Sequence, residues 1–273
     1  MPELILAERI TSLQNPRIKA AIRLHSSRGR KQQDRMIVFG QREISRAIVA
    51  GVNVESIFLM ESDADDLLND LGSDQVAATS KQITFVTDEI MQKLSYGDRV
   101  DGCVAVAHRP PTSLEQIDLS KISRPLFVVL EAVEKPGNIG AVIRSIDATG
   151  ASGLILANPI TDVFHPNAIR SSTGVLFGMP IATGTNEDVQ RWLAQHDFFV
   201  CTTFPESASS LFDCSLGVSP LAVVLGNEAV GVSEDWHQER FLRTQLPMLG
   251  QADSLNVSVT AAVILYEALR QRR

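Results

Sequence analysis

Four apolar runs in the second half of the chain constrain its fold most. They are PLFVVLEAV (125–133), SGLILAN (152–158), FFVCTTF (198–204) and PLAVVLGNE (220–228). Each run is apolar on both of its faces, which is typical of strands buried in a parallel sheet. Helical patterns separate the runs, and a long helix is predicted after Asn256. This alternation predicts an α/β fold with a parallel sheet.

The first hundred residues predict a second, smaller α/β domain. Strands predicted at 36–40, 54–60, 83–87 and 103–109 alternate with shorter helical patterns. A mostly polar stretch with several prolines then interrupts the apolar periodicity. We therefore predict one domain at 1–108, a linker at 109–124 and a second domain at 125–273.

Composition excludes several classes of protein. With 273 residues, 44% hydrophobic and 21% charged, the chain has the composition of a globular protein. We find no apolar run of the roughly 18–20 residues that a bilayer span needs. The first residues, MPELILAERI, lack the basic start and apolar core of a secretory signal. We therefore expect a cytoplasmic protein without a membrane partner.

The cysteines and histidines do not predict a metal site. Cys103, Cys201 and Cys214 are far apart in the sequence, and the five histidines are scattered. Neither set has the spacing of zinc ligands or of a disulfide framework. We expect no metal cofactor.

Charge is distributed unevenly along the chain. The net charge is −7, yet residues 1–50 hold ten Lys and Arg against four Asp and Glu. A basic segment on an acidic body can attract a phosphate backbone to one face of a protein, although a solvated helix face would give the same pattern. The densest cluster, our candidate set of contacts to such a phosphate backbone, is Arg17, Lys19, Arg23, Arg28, Arg30 and Lys31.

Three polar segments lie where predicted strands end. They are EKPGNIGAVIR (134–144), LGNEAVGVSEDW (225–236) and LPMLGQADSLNVSVTAAV (246–263). Open α/β sheets bind ligands at the carboxyl ends of their strands. Taken singly, each segment is also explained by tight turns and helix caps, with Ser233 a plausible cap of a helix. The chain lacks the Walker lysine and the three-glycine dinucleotide motif, which disfavours a nucleotide-binding oxidoreductase.

In this order, the three segments closely resemble the motifs of SpoU-type RNA 2′-O-ribose methyltransferases, the TrmH-like family of the SPOUT superfamily. The resemblance covers residues 125–273. SLQNPRIKAAIRL followed by MIVFGQREISRAI is similar to the family's N-terminal substrate-binding domain, a small ribosomal-protein-like α/β RNA binder. Phe39 stands where that domain usually carries an acidic residue.

The resemblance implies a parallel-sheet fold with a deep trefoil knot, S-adenosylmethionine as cofactor, and a homodimer that shares its sites. The implied catalytic residues are Asn138, Arg144, Glu228, Ser254 and Asn256. The implied cofactor contacts, made largely through backbone groups, are Leu225, Gly226, Asn227, Gly231, Leu246, Met248 and Leu255.

Two roles stay open within this interpretation. Arg144 acts as a general base, or it grips a phosphate and stabilises the developing alkoxide. A guanidinium gives up its proton reluctantly, which makes the second role chemically easier. Arg170 either contacts a flanking phosphate or is structural.

The resulting hypothesis is an S-adenosylmethionine-dependent RNA ribose methyltransferase. Ribosomal RNA is favoured over transfer RNA because family members with the extra N-terminal domain mostly act there. The alternatives are a transfer-RNA ribose methyltransferase and a non-catalytic RNA-binding protein with a degenerate second domain. Ribose methylation needs no base-specific chemistry, so the sequence does not indicate the nucleotide.

Overall fold

The computed structural model describes residues 8–70, 82–97, 100–204 and 209–273. Its contacts divide the chain into two units. Unit 1 comprises residues 1–110 together with 164–178. Unit 2 comprises residues 111–163 and 179–273.

Unit 1 contains a mixed five-stranded sheet in the order β1-β4-β3-β5-β2. The strands are β1 (Glu8–Ile10), β2 (Arg35–Phe39), β3 (Val54–Leu59), β4 (Ile83–Val86) and β5 (Cys103–His108). β1, β4 and β3 run parallel, whereas β5 runs antiparallel to β3 and β2. The helices are α1 (Pro16–Arg23), α2 (Ser27–Gln33), α3 (Gln41–Val49), α4 (Ala64–Asp70) and α5 (Asp88–Leu94).

Local signals set the first two helices. Asn15 precedes Pro16 and accepts a hydrogen bond from Arg17 N at 2.9 Å, so α1 has both a cap and a proline in its first turn. Ser26 caps α2 in the same way by accepting from Gly29 N at 3.0 Å. Ile18 and Leu24 are fully buried against the sheet. Except for the buried Arg30, the basic side chains of these helices are exposed.

Unit 2 contains a six-stranded sheet, parallel throughout, in the order β11-β9-β10-β6-β7-β8. The strands are β6 (Leu126–Glu131), β7 (Gly153–Ala157), β8 (Ile181–Gly184), β9 (Phe199–Thr203), β10 (Leu221–Leu225) and β11 (Leu242–Thr244). The helices of this unit are α6 (Pro136–Thr149), α8 (Asn186–Gln195) and α9 (Val257–Arg272), and α9 packs against α6. The predicted α/β fold with a parallel sheet is confirmed.

The central strands of this sheet are apolar on both faces because helices and turns cover both. All residues of β6 and of β10 are buried. Phe127, Val129 and Trp236 lie in one core cluster, and Trp236 is fully buried. Strands of this kind fix the carboxyl edge of the sheet, where the loops that follow β9, β10 and β11 begin.

Two strands of unit 2 differ from the sequence-based expectation. β8 (IATG) was not predicted, because it is short and has little apolar character. The apolar residues that open the third polar segment, from Leu246, predict the end of a short strand, but the strand lies earlier, at Leu242–Thr244, and residues 246–256 form a loop. Short edge strands carry a weak periodicity, and their pairing depends on neighbours distant in sequence.

The predicted linker also has structure. Residues 114–116 and 119–121 form short 3-10 turns, and Leu114 and Ile117 are buried in the core of unit 2. An apolar side chain every third residue is what such turns present to a core. The contacts therefore place most of 109–124 with unit 2, while the division into domains at 108 and 125 stays a prediction.

Residues 164–178 pack with unit 1 although they come from the second half of the chain. They include α7 (Pro166–Ser171), which contacts β2. Arg170 Nη2 lies 2.7 Å from Asp101 Oδ2, and its guanidinium lies over the Phe39 ring at 5.7 Å. Asp101 is almost fully buried, so this ion pair is part of the packing of unit 1. The geometry favours the structural role for Arg170 over a phosphate contact.

Candidate active site

A cavity of about 350 Å³ opens at the carboxyl edge of the unit 2 sheet. Its lining includes the ends of β9 and β10 with residues that follow them. Residues 244–246, 248 and 253–255 and the first half of α9 complete it. The cavity is lined by every residue predicted to contact a cofactor: Leu225, Gly226, Asn227, Gly231, Leu246, Met248 and Leu255. Two predicted catalytic residues, Glu228 and Ser254, line it as well.

The loop after β10, residues 226–233, is called the β10 loop. A side chain at Gly226 would place its Cβ 2.1 Å from Gly231 C and 2.2 Å from Val232 N, so only glycine fits there. Asn227 and Gly231 exchange two backbone hydrogen bonds of 2.9 Å, and Gly231 has a φ of +72°. These constraints fold the loop back on itself and present its backbone to the cavity.

The side chain of Asn227 holds the β10 loop rather than the cavity contents. Its Nδ2 donates to Ala132 O at 3.0 Å and to Glu134 Oε1 at 3.2 Å. Its Oδ1 accepts from Ala229 N at 2.8 Å. Any contact of Asn227 with a cofactor therefore falls to its backbone groups.

Three predicted catalytic residues form one chain of hydrogen bonds. Asn138 Nδ2 donates to Glu228 Oε1 at 2.5 Å, and Asn256 Nδ2 donates to Asn138 Oδ1 at 3.2 Å. Asn256 also caps α9 by accepting from Ser258 N at 2.9 Å. The three residues come from the three separate sequence segments, so the fold joins all three at the rim of the cavity.

Arg144 lies apart from this group. It is exposed on α6, six residues after Asn138, which on a helix corresponds to about 9 Å along the axis and about 120° around it. It does not belong to the described residues that line the cavity. The structure therefore brings together four of the five predicted catalytic residues and leaves Arg144 facing another direction.

Part of the cavity wall was not predicted from the sequence. The missed residues include Thr203, Phe204, Thr244, Asp253 and Thr260. The first three follow or end strands β9 and β11; β9 lies next to β10 and β11 lies next to β9, an order that the local sequence does not specify. The one available signal was Asp253, which directly precedes the Ser254–Asn256 motif.

The basic cluster of unit 1 is only partly available to a ligand. Arg23, Arg28 and Lys31 are exposed on α1 and α2. Arg17 is also exposed but pairs with Glu8 at 2.5 Å, and Lys19 donates to Gln14 Oε1 at 2.5 Å.

Arg30 corrects the predicted set of RNA contacts. It is fully buried, and its Nη1 donates to Leu24 O at 3.0 Å and His25 O at 3.1 Å. A buried guanidinium that bonds backbone carbonyls cannot reach a phosphate. Arg30 instead fixes the turn between α1 and α2, and it leaves the set.

Two further chemistries have little support in the described part of the chain. Burial raises the pKa of the Cys103 and Cys201 thiols to about 12, so neither is a thiolate nucleophile near neutral pH. In those same residues, groups of three or more His, Cys, Asp or Glu arranged to hold a metal ion are not found. Nor does the described structure include a helix long and apolar enough to cross a membrane.

A cavity at the carboxyl edge of a parallel sheet, built from glycine loops and polar residues, is a site for a small cofactor. Residues 125–266 match the SpoU rRNA Methylase family, and residues 15–105 match the MRM3-like substrate binding domain. The chain belongs to the SpoU rRNA Methylase family, as the three sequence motifs predict.

Relatives and solved structures agree with this membership over nearly the whole chain. A 23S rRNA (uridine(2479)-2′-O)-methyltransferase of Streptomyces viridochromogenes is 32% identical, covering 97% of this chain and 93% of the relative. A crystal structure of an RNA 2′-O ribose methyltransferase is 38% identical with a TM-score of 0.81, covering 97% of this chain and 99% of that one. An AdoMet-bound rRNA methyltransferase from Sinorhizobium meliloti is 25% identical with a TM-score of 0.86, covering 97% and 98% of the two chains.

Proposed function

We propose that this chain transfers the methyl group of S-adenosylmethionine to the 2′-hydroxyl of a ribose in RNA, with ribosomal RNA as the substrate. One observation carries the proposal. Asn138, Glu228 and Asn256 form a hydrogen-bonded chain at the rim of a cavity that all seven predicted cofactor residues line. The family and the names of the relatives support the same activity and cofactor.

The cavity fits the cofactor in size and chemistry. Its volume of about 350 Å³ is in the range of small-molecule sites. Leu225, Leu246 and Leu255 provide apolar walls for an aromatic base, and the Gly226 backbone can be approached closely. Glu228 and Asp253 line the cavity, and their carboxylates would attract a ligand that carries a positive sulfonium. When bound, the cofactor supplies an electrophilic methyl group.

The residues at the rim would position the acceptor ribose. The amides of Asn138 and Asn256 offer donors and acceptors that suit a hydroxyl, and Glu228 fixes the orientation of Asn138. Aligning a hydroxyl behind the methyl group supplies much of the rate of such a transfer. Arg144 would act on the acceptor in one of two ways. It would serve as a general base, or it would bind the neighbouring phosphate and stabilise the developing alkoxide.

We infer that the active site is completed by a second copy of the chain. Val259, Ala262, Val263 and Tyr266 lie on one face of α9, where Val259 and Tyr266 are 47% and 54% exposed. An apolar face of this kind favours a partner. α6, which carries the exposed Arg144, packs against α9 in the same chain. We propose that a homodimer formed on this face lets Arg144 of one chain act at the cavity of the other.

We also propose the trefoil knot that the family resemblance implies. β11 pairs with β9 at the edge of the sheet, and the chain then returns to β10. There, Ser254 and Leu255 line the same cavity as Gly226 before α9 packs against α6. A return of the chain across the loops that it has already formed supports a threaded connection.

The decisive experiment combines binding with methyl transfer. Calorimetry should show S-adenosylmethionine binding and no NAD binding. Tritiated cofactor should label the 2′-hydroxyl of one nucleotide in ribosomal RNA, mapped by 2′-O-methyl sequencing, and should not label transfer RNA. Labelling of transfer RNA alone would show that the substrate is transfer RNA and not ribosomal RNA. Cofactor binding without transfer to either RNA would support a degenerate RNA-binding protein.

A further inference from the structure

The β10 loop is fixed to the turn between β6 and α6, residues 131–138, at three successive points. Two are the contacts of Glu228 and Asn227 described above. The third joins Ser233, at the far end of the loop, to Glu131, the last residue of β6. The first two contacts lie near the cavity, whereas the third is at the base of the loop.

Glu131 is a buried carboxylate that serves several donors at once. Glu131 is only 3% exposed. Oε2 accepts from Ser233 N at 2.7 Å, and Oε1 accepts from Ser233 Oγ and from Asn186 Nδ2, the latter at 2.5 Å. Burying a carboxylate is unfavourable unless donors of this number compensate it.

Asn186 extends the contact to the segment that follows the β10 loop. It is 4% exposed, begins α8, and donates from the same Nδ2 to Asp235 Oδ2 at 2.8 Å. Its Oδ1 accepts from the Nε1 of the fully buried Trp236 at 3.2 Å. Glu131, at the end of β6, is therefore bonded directly to Ser233 and to Asn186 of α8. Through Asn186 it is also linked to Asp235 and Trp236.

The next residue of the chain adds to this arrangement. Ala132 has a φ of +49°, a left-handed conformation that a non-glycine residue adopts only where its surroundings enforce it. Its carbonyl accepts from Asn227 Nδ2. Consecutive residues 131 and 132 thus hold opposite ends of the β10 loop.

We propose that Glu131 is a positioning residue that sets the geometry of the β10 loop for the cofactor. This inference rests on the proposed function. Glu131 is not one of the described residues that line the cavity, so it acts through Ser233 and Asn186. A carboxylate suits this task because its two oxygens accept from a backbone N–H, a hydroxyl and an amide together.

Hydrogen exchange of the protein without cofactor tests the positioning directly. Glu131→Gln keeps the volume but puts an NH₂ group against groups that are themselves donors. We expect the amides of 227–233 to exchange at least 10-fold faster, with β6 and β10 unchanged. Leu154→Ala, at a fully buried position in β7, is the control for general destabilisation and should not single out the loop. An effect of Glu131→Gln spread evenly over unit 2 would overturn the proposal.

Cofactor binding provides the second measurement. Glu131→Gln should raise the Kd for S-adenosylmethionine at least 10-fold, while Leu154→Ala keeps the Kd of the folded protein. Ser233→Ala, at an exposed residue, should give a smaller increase, and Ser233→Thr should restore the affinity. If Glu131→Gln does not fold, the affinities of Ser233→Ala and Ser233→Thr test the proposal instead.

The two readouts separate the two proposals. A wild-type protein that does not bind the cofactor would contradict the proposed function, and the exchange result alone would then decide the role of Glu131. Normal affinity in both Glu131→Gln and Ser233→Ala would refute the role of Glu131.

Discussion

The Asn138 side chain uses both ends of one amide, donating to Glu228 and accepting from Asn256. Asn138→Asp is nearly the same size but cannot donate to Glu228 and would face it with a second negative charge. We expect this variant to lose at least as much transfer activity as Asn138→Ala. The thermal midpoints of the two variants should be similar. Single-turnover rates at saturating cofactor check this. An Asp variant faster than the Ala variant would mean that the donor end has no role.

Arg144 is exposed, so its replacement should cost little stability. Arg144→Ala should lower the single-turnover rate by about 100- to 1,000-fold, as removal of a key electrostatic group does. Cofactor affinity by calorimetry should be nearly unchanged. Arg191→Ala, an exposed arginine on α8, is the matched control. A variant that keeps more than about a tenth of the wild-type rate would contradict the assignment.

Gly226 and Gly250 offer a matched pair in the cavity region. A Cβ at Gly226 would meet the backbone of Gly231 at 2.1 Å, whereas a Cβ at Gly250 has open space around it. We therefore expect Gly226→Ala to raise the Kd for S-adenosylmethionine more than 10-fold and Gly250→Ala to leave it unchanged. Calorimetry on the two variants measures this. Equal affinities would show that the β10 loop does not contact the cofactor.

Much of the candidate site could be predicted from the sequence because its residues belong to contiguous motifs. The contacts between motifs could not. Ser233 was expected to cap a helix, but in the structure its hydroxyl bonds Glu131 and only a 3-10 turn follows. Arg30 read as a surface cation because its neighbours are charged, yet its side chain is fully buried. The roles of these two side chains depend on their burial and on their bonding partners in the folded chain. The residues next to them in the sequence do not indicate either.

At the scale of elements, α1 and α2 carry the exposed cations that we expect to bind RNA phosphates. Replacing Arg23, Arg28 and Lys31 together by Gln should reduce the slope of log affinity against log salt by about 2, at about 0.7 for each phosphate contact. Filter binding at several salt concentrations measures the slope. The control removes three exposed cations from unit 2, at Lys121, Arg191 and Arg270. A slope that changes equally in both triple variants would refute a local RNA surface.

The long, apolar strands of the parallel sheet were predictable because burial on both faces leaves a continuous signal. β6 and β10 lie within the predicted runs 125–133 and 220–228. β1 and β11 have three residues each, which is too few to show the alternation of apolar and polar residues that indicates a strand. The packing of α7 in unit 1 includes the ion pair of Arg170 with Asp101, which is 69 residues away in the sequence.

For the whole molecule, a test of shared sites mixes two inactive variants. Arg144→Ala keeps its cavity, and Gly226→Val keeps its arginine. If sites are shared, a hybrid dimer has one complete site, and a statistical mixture should recover about a quarter of wild-type activity. If each chain uses its own arginine, the mixture stays inactive. A monomer in sedimentation at micromolar concentration would also contradict the dimer.

The last wall of the cavity comes from α9, through Val257, Thr260 and Ile264. During synthesis, N-terminal parts of a chain fold first, so the sheet strands emerge well before this wall exists. A ligand stabilises only the form that binds it. S-adenosylmethionine therefore cannot stabilise a nascent or prematurely terminated chain that lacks residues 257–264. In the cell, such a fragment would face the proteases without cofactor protection, however abundant the cofactor is.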